Sequence, residues 1–253
     1  MGWRPITLMK ADSLYSQPRK QVVDFVFDDA VVDVFPDMIR RSVPGYENII
    51  ALLGILGNQY AQANSTVYDL GCSLGASTLS LYQQIQVPNI QFVGVDNAPA
   101  MVEQCRTNLQ KHMPNSQHQV IHQDIQDIEI TNASVVVVNF TLQFLPIETR
   151  QNLLTKIYRG LLPGGCLILS EKIQFESPQK QSFMKDWHHA FKRANHYSDM
   201  EISQKRSSIE NVLIPETSEE HLKRLTDSGF EHTEQWFQCF SFASFIAIKS
   251  DLK

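Results

Sequence analysis

The stretch VYDLGCSLGASTLSLY, residues 67–82, decides how this chain is expected to fold. Its centre, residues 71–75, matches G-x-S-x-G, the pattern in which a serine hydrolase carries its nucleophile on a sharp turn between a strand and a helix. The same letters suit a glycine loop that opens a nucleotide-binding βαβ unit, where glycines let the backbone approach a ligand. Both interpretations put a strand before the turn and a helix after it, so the turn alone does not separate them.

Short apolar runs alternate with amphipathic stretches along the middle of the chain. The strand candidates are 65–70, 90–96, 118–124, 133–140 and 166–172, and the helix candidates are 75–86, 99–111 and 147–162. Such alternation predicts a parallel sheet with right-handed crossovers. Segment 230–249 has the pattern of two consecutive strands, which predicts an antiparallel hairpin at one edge. We therefore expect an α/β, Rossmann-like fold with a mostly parallel, seven-stranded sheet.

Two helical segments are predicted before the sheet. Residues 24–45 carry apolar residues at helical spacing, interrupted by Pro36 and Pro44, and residues 46–62 read as a second helix. We predict a leader and helical cap over 1–63 and a ligand-binding domain over 64–253. Within that domain, a substrate insertion is expected at about 171–228, between the fifth strand and the terminal hairpin.

Composition excludes several classes of protein. The 22 Lys and Arg against 27 Asp and Glu give a net charge of −5, which argues against a surface that binds nucleic acid directly. The four cysteines have no metal-ligand spacing, so we expect no metal, reduced thiols and a cytoplasmic location. The N-terminal residues lack the apolar core of a signal peptide, and no apolar run is long enough to span a membrane.

The hydrolase interpretation fits poorly. A nucleophile elbow lies in mid-sheet with an oxyanion loop upstream, whereas Gly71 follows the first strand of the alternating region and no H-G-G precedes it. His221 and His232 could complete a triad only nominally, since the chain has eight histidines. We therefore expect Ser73 to bind a ligand rather than to act as a nucleophile.

Acidic residues at two later strand ends favour a nucleoside site. Asp96 ends the second strand, 25 residues after Gly71, where a ribose-binding carboxylate is expected. Asp124 ends the third strand, where an acceptor could recognise an adenine amino group. Asp69 would repel a pyrophosphate but suits a ligand with an ammonium group, as in S-adenosylmethionine. The loop DLGCSLG (69–75), these acids and LLPGG (161–165), expected as a turn before the fifth strand, resemble class I methyltransferases, although Ser73 stands where that family often has glycine.

Longer sequence segments narrow the resemblance to one family. FDDAVVDVFPDMIRRSVPGY (27–46), NFTLQFL (139–145), FKRANHYSDMEISQKRS (191–207) and WFQCF (236–240) resemble the carboxy-S-adenosyl-L-methionine synthase family, formerly described as tRNA uridine-5-oxyacetate methyltransferases. The resemblance covers about residues 24–249. It implies a dimeric enzyme that converts S-adenosylmethionine and prephenate to carboxy-S-adenosylmethionine and phenylpyruvate. It also implies a partner enzyme that transfers the carboxymethyl group to wobble hydroxyuridine in tRNA.

The resemblance also implies a set of ligand-binding residues, carried over where the family's motifs match. They are Tyr46, Gly71, Cys72, Ser73, Asp96, Asn97, Asp124, Ile125, Asn139 and Arg206. Asp96 would hold the ribose, with Asn97 beside it. Asp124 and the backbone of Ile125 would recognise adenine.

Arg206 is the informative position, because the family match assigns it the carboxylate of carboxy-S-adenosylmethionine. A guanidinium binds a carboxylate in a bidentate geometry that lysine cannot copy. The other basic residues of the insertion are Lys180, Lys185, Lys192, Arg193 and Lys205. Most of them are expected to form a solvated helical face, with Lys205 as ordinary surface charge.

No side-chain base is proposed, and the catalytic residues stay unknown at this stage. In the implied reaction, hydroxide lost from prephenate takes a methyl proton from the sulfonium, and the resulting ylide captures the released carbon dioxide. The alternative is a conventional methyltransferase acting on tRNA or a small molecule, and a non-enzymatic cofactor-binding module comes third. Phe183, Trp187 and Phe191 repeat at four-residue spacing, which suits the implied dimer, although these residues could equally pack on the protein's own sheet.

Overall fold

The protein, a computed structural model, is described over residues 10–18, 24–209 and 212–250. Most of the predicted leader, residues 1–9 and 19–23, lies outside these ranges. The helices are α1 (Asp29–Ser42), α2 (Tyr46–Tyr60), α3 (Ala76–Gln84), α4 (Pro99–His112), α5 (Ile147–Gly160), α6 (Pro178–Ala194), α7 (Asp199–Ile209) and α8 (Ser218–Asp227). The strands are β1 (Thr66–Leu70), β2 (Gln91–Asp96), β3 (Gln117–His122), β4 (Ala133–Asn139), β5 (Leu161–Lys172), β6 (His232–Cys239) and β7 (Phe242–Ile248).

One seven-stranded sheet runs through the fold in the order β3-β2-β1-β4-β5-β7-β6. The first five strands pair in parallel, and β7 pairs antiparallel with both β5 and β6. The predicted sheet and its terminal hairpin are therefore confirmed. The strand order reverses between β1 and β4, and ligands of open α/β sheets bind in the crevice beyond the carboxyl ends of strands at such a point.

Both faces of the sheet are covered, which explains the continuous apolar strands. In β4, residues 133–138 are buried. One core cluster joins the sheet to α5 and α8 through residues such as Leu153, Leu225 and Phe245. A second cluster on the other face joins the sheet to α2, α3 and α4 through Leu53, Leu81 and Leu109. Strands buried on both sides are typical of parallel sheets.

The two helices before β1 differ in part from the expectation. The predicted break at Pro36 is wrong, because α1 continues through Pro36 while Val34 and Met38 stay buried on its inner face. A proline removes one intrahelical hydrogen bond, and here the packed apolar face outweighs that loss. Pro44 does separate the helices, and Gly45, with φ of 80°, directly precedes α2.

The structure of residues 161–165 also differs from the prediction. LLPGG is not a turn before the fifth strand, since β5 already begins at Leu161. Its pairing with β4 passes from Leu161, opposite Ala133, to Cys166, opposite Val135, so the residues between them form a bulge.

The described part of the insertion region contains three helices. α6 and α7 contact each other, and α6 also packs against α1, whereas α8 packs against α5 and the hairpin. No helix in the described ranges has both the length and the apolar character needed to cross a membrane. The division of the chain at residue 63 stays a prediction.

Candidate functional site

The loop after β1 is a tight turn tied to β2. The N–H groups of Gly71 and Cys72 donate to the Val95 carbonyl over 2.8 and 3.0 Å. Gly71 has φ of 81°, and a Cβ there would lie 2.2 Å from the Thr141 hydroxyl oxygen, so only glycine fits. Ser73 has φ of 48°, the left-handed region, which explains why glycine is common at its position in similar loops.

Ser73 is not arranged as a nucleophile. Its hydroxyl contacts the Met101 sulfur at 3.6 Å. His221, the nominal triad partner, packs against Phe245 on the face of the sheet covered by α8. His232 begins β6 at the far edge of the sheet. The turn therefore shapes a cradle and does not expose a catalytic serine.

Asp96 closes this cradle from the end of β2. Its Oδ2 accepts a hydrogen bond from the Ser73 N–H and its Oδ1 accepts one from the Ala98 N–H, both over 2.9 Å. Burial raises the pKa of Asp96, while these N–H donors oppose that rise. Asn97 follows directly and borders the same cavity.

Asp69, at the end of β1, carries an unsatisfied acceptor. Its Oδ2 accepts from the Thr78 N–H over 3.1 Å and from the Thr78 hydroxyl over 2.7 Å. Its Oδ1 is buried and has no hydrogen-bond partner within the described part of the chain. Burial raises the pKa of Asp69 to about 6. A buried acceptor without a donor is costly in a folded protein, so this oxygen suits a donor from a ligand.

Tyr46 and Asn139 lie near Asp69. Burial and the negative charge of Asp69 both raise the pKa of Tyr46, whose ring lies 6.5 Å from that of Phe140. The Nδ2 group of Asn139 donates weakly to the Ser77 hydroxyl over 3.4 Å. Its Oδ1 is a second buried acceptor without a partner among the described residues. β1 and β4 thus place two unpaired oxygens at the point where the strand order reverses.

The segment that follows the third strand contributes less directly to the candidate site. Asp124 lies two residues beyond the end of β3, and its Oδ1 accepts from the Gln126 N–H over 2.8 Å. Ile125 borders the cavity. The Cys72 thiol is buried in the core beside Cys105, and this contact and burial raise the pKa of Cys72. Cys72 therefore faces the site with its backbone.

Most of these groups border one large cavity of about 1470 Å³, whereas Asp69 and Asp124 are not among the residues that border it. Of the residues expected at the ligand site, it is bordered by Tyr46, Gly71, Cys72, Ser73, Asp96, Asn97, Ile125, Asn139 and Arg206. A pocket for one drug-sized ligand typically has about 300–1,000 Å³, so this cavity has room for two ligands.

Basic residues border the side of the cavity formed by α6, α7 and the end of β5. They are Lys172, Lys185, Lys192, Lys205 and Arg206, together with His188 and His189. The expectation of a solvated face holds for Lys185, which is exposed, for Lys180, over the Phe175 ring, and for Arg193, which pairs with Asp199. It does not hold for Lys192, which is half-buried, or for Lys205, which is buried.

Lys205 differs most from its expectation as surface charge. Its Nζ donates to the Ser42 hydroxyl over 2.9 Å and lies 3.7 Å from Asp12 Oδ2. Burial lowers its pKa to about 8, although the charge of Asp12 opposes that shift.

Glu171 is a residue that the sequence analysis missed. Its carboxylate accepts from the N–H groups of Leu142 and Gln143, each over 2.9 Å, and holds the short 3-10 helix over Leu142–Phe144. Burial raises its pKa to about 8. A glutamate at a strand end carries no distinguishing signal, and only its contacts show that it positions a cavity wall.

The arrangement offers acceptors at one end and cations at the other. Unpaired acceptors suit a ligand with ammonium or hydroxyl donors, and the cations suit carboxylates. Within the described residues, no group of three His, Cys, Asp or Glu side chains could hold a metal ion.

Comparison with known proteins agrees with the fold. A family described as "Methyltransferase domain" matches residues 67–165. A putative S-adenosyl-L-methionine-dependent methyltransferase from Methanococcus maripaludis superposes with a TM-score of 0.58 at 20% identity. The match covers 91% of this chain and 97% of that chain. A putative O-methyltransferase from Nostoc punctiforme gives 0.62 at 17% identity, covering 87% of this chain and 59% of the other.

Relatives with much higher identity cover nearly the whole chain. The carboxy-S-adenosyl-L-methionine synthase of Citrifermentans bemidjiense is 56% identical over 241 residues, which are 95% of this chain and 99% of that protein. The protein of the same name from Yersinia enterocolitica is 51% identical, covering 96% of this chain and 92% of its own length. With this fold and this similarity along its length, the chain belongs to the carboxy-S-adenosyl-L-methionine synthase family.

Proposed function

We propose that this protein converts S-adenosylmethionine to carboxy-S-adenosylmethionine, with prephenate as the source of the carboxyl group and phenylpyruvate as the second product. The observation that carries the proposal is the single cavity with two chemically different ends. One end has an unpaired acceptor on Asn139, which borders the cavity, and a second on Asp69, two residues before Gly71 of the cavity wall, and a group of cations lies at the other end. One end suits a cationic nucleoside and the other suits a dianion.

The acceptor end would hold S-adenosylmethionine. Its ammonium group would donate toward the buried Oδ1 of Asp69, beside Tyr46 and Asn139. Its ribose hydroxyls would bond to the carboxylate of Asp96, which keeps further acceptor capacity after receiving two N–H bonds. Asn97 would lie beside the ribose, and adenine would lie by Ile125, with Asp124 at its edge.

The new carboxylate would bind Arg206, which borders the same cavity from α7. S-adenosylmethionine lacks this carboxylate, so Arg206 would distinguish product from substrate. A guanidinium at this place also neutralises the negative charge as it forms on the former methyl carbon.

The chemical step needs no side-chain base. Prephenate loses its ring carboxyl as carbon dioxide and its ring hydroxyl as hydroxide, and the ring becomes aromatic. The hydroxide takes a proton from the sulfonium methyl group and leaves as water. The ylide carbon then forms a bond to carbon dioxide, which gives the carboxylate. The protein would contribute proximity, and the step requires that the cavity exclude water and retain the carbon dioxide.

Assembly and cellular role are part of the same proposal. We propose a homodimer formed through Phe183 and Trp187, which are exposed and stacked with centroids 6.1 Å apart. A dimer mass by light scattering supports this proposal, and a monomer at micromolar concentration contradicts it. The product would serve a separate tRNA carboxymethyltransferase in the cytoplasm, without direct binding of this protein to nucleic acid.

Mass spectrometry of the reaction tests the activity. The purified protein is incubated with S-adenosylmethionine and prephenate, and the expected product is heavier than S-adenosylmethionine by the mass of carbon dioxide. Carboxyl-labelled prephenate should pass its ring label to that product. An unchanged cofactor mass, or methyl transfer to tRNA or a small molecule instead, would favour the conventional methyltransferase.

A further inference from the structure

Lys192 occupies a place in the cavity that the roles above do not explain. It lies on α6, one helical turn after His188, and both residues border the cavity. Lys172 ends β5, and Lys205 lies on α7. Both lysines lie close enough to Lys192 for their charges to lower its pKa. Three elements thus bring three ammonium groups to one part of the wall.

The neighbouring groups leave Lys192 without a counter-charge. Within the described ranges, its ammonium group makes no hydrogen bond or ion pair. Lys205 is satisfied by Ser42 and Asp12. His188 donates to the Ser42 carbonyl over 2.7 Å, and burial lowers its pKa to about 3, so it adds no charge at neutral pH.

Carboxylates of the cavity wall are engaged elsewhere. In the described part of the chain, Asp33 and Asp96 are the acidic residues that border the cavity. Asp33 pairs with Lys10 at 3.0 Å, and Asp96 accepts the two backbone N–H groups of its own loop. Burial and the neighbouring lysines lower the pKa of Lys192 to about 7. An ammonium group held among other lysines without a carboxylate partner of its own, as Lys192 is, is stabilised by a bound anion.

We propose that Lys192, assisted by Lys172, forms the subsite for the 2-oxo-acid carboxylate of the second substrate. The inference rests on the proposed function and deepens it. The ring carboxylate of prephenate must lie next to the sulfonium methyl group, where it leaves as carbon dioxide and ends beside Arg206. The side-chain carboxylate does not react, so it needs a separate cation farther along the cavity.

Steady-state kinetics test this subsite. Lys192→Met should raise the KM for prephenate at least roughly tenfold, as expected for loss of a charged hydrogen bond, with kcat and the KM for S-adenosylmethionine nearly unchanged. Lys172→Met should have the same effect, and Lys192→Arg should restore part of the affinity. Lys180→Met, on the exposed side of α6, is the matched control and should leave both KM values unchanged. A fall in kcat alone, or an unchanged KM for prephenate in both methionine variants, overturns the proposal.

The product gives an independent readout. Phenylpyruvate keeps the 2-oxo-acid carboxylate but has lost the ring carboxylate, so Lys192→Met should weaken its binding by a similar factor in calorimetry. Equal affinity for phenylpyruvate in wild type and Lys192→Met overturns the subsite even if catalysis is normal. A wild-type protein that forms no carboxylated product rejects the proposed function, whereas the phenylpyruvate titration still decides the subsite. Matching thermal melting curves show that the variants are folded.

Discussion

The Lys205 ammonium group donates a hydrogen bond to the Ser42 hydroxyl over 2.9 Å and thereby ties α7 to the end of α1. Its neighbour Arg206 is exposed on the same helix and borders the cavity. Two adjacent basic residues therefore have different tasks. Lys205 supports the wall from within the protein, and replacing it would disturb the packing of α1 on α7. It cannot serve as a neutral control for Arg206.

Arg206→Ala should separate the two forms of the cofactor. Its loss is expected to cost the carboxylated form at least about 1.5 kcal/mol, roughly tenfold in affinity, and to leave S-adenosylmethionine nearly unaffected. Arg206→Lys should recover charge without the bidentate geometry and give partial binding. Calorimetry with both ligands measures this difference. Arg193→Ala removes an exposed guanidinium on α6 and is the matched control. Equal losses for both ligands would reject the proposed role of Arg206.

Asp96→Ala should weaken both ligands equally, because they share the ribose. Loss of a charged acceptor typically costs on the order of 1.5–3 kcal/mol. The same carboxylate also holds the N–H groups of Ser73 and Ala98, so the loop should loosen and the melting temperature should fall. Calorimetry at constant pH measures the affinities. Unchanged binding of either ligand would show that the ribose lies elsewhere.

Asp69 should make the binding of S-adenosylmethionine depend on pH. Burial raises its pKa from 3.8 to about 6, so the carboxylate becomes fully ionised only above that range. A cationic ligand favours the ionised form, and its affinity should increase between about pH 5 and pH 7. In Asp69→Asn, the affinity should be lower, and the part of the pH dependence due to this carboxylate should disappear. Calorimetric titrations across this range measure both effects.

Without a ligand, a rise in pH should make the Asp69 carboxylate lower the stability of the folded protein. Because the folded state raises this pKa, the folded state holds the proton more tightly than the unfolded chain does. The contribution of Asp69 to stability is therefore present at acidic pH and is lost as pH rises through about 6. Asp69→Asn should remove that loss, so the unliganded variant should melt no lower than wild type at pH 8. A lower melting temperature would contradict this account.

Arg150→Met should destabilise the fold without touching the ligand. Arg150 is fully buried, pairs with Glu216 at 2.5 Å and donates to the carbonyls of Leu145 and Ile214. Removing one partner of a buried pair typically costs about 3–5 kcal/mol. Denaturant unfolding measures the loss, with Arg159→Met on the exposed side of α5 as the control. A loss similar to that of the control would mean that Arg224 alone compensates Glu216.

Much of the fold followed from local sequence patterns. Alternating apolar strands and amphipathic helices predicted the sheet, because each element must bury its apolar face. The spacing from Gly71 to Asp96 predicted that both lie at the same edge, since the carboxyl ends of parallel strands lie at one edge of the sheet. The continuation of α1 through Pro36 was not predictable, because packing with residues distant in sequence outweighed the local preference against proline.

The amino-acid sequence by itself determined the succession of strands and helices along the chain, the glycine turn and the kinds of charged group available for binding. Only the tertiary structure decided which basic residues face the cavity. His188 and Lys205 both bond to Ser42, which lies far from them along the chain, and these contacts orient α6 and α7 over the site. Helical periodicity shows which lysines share a face, but the face that turns inward depends on such long-range packing.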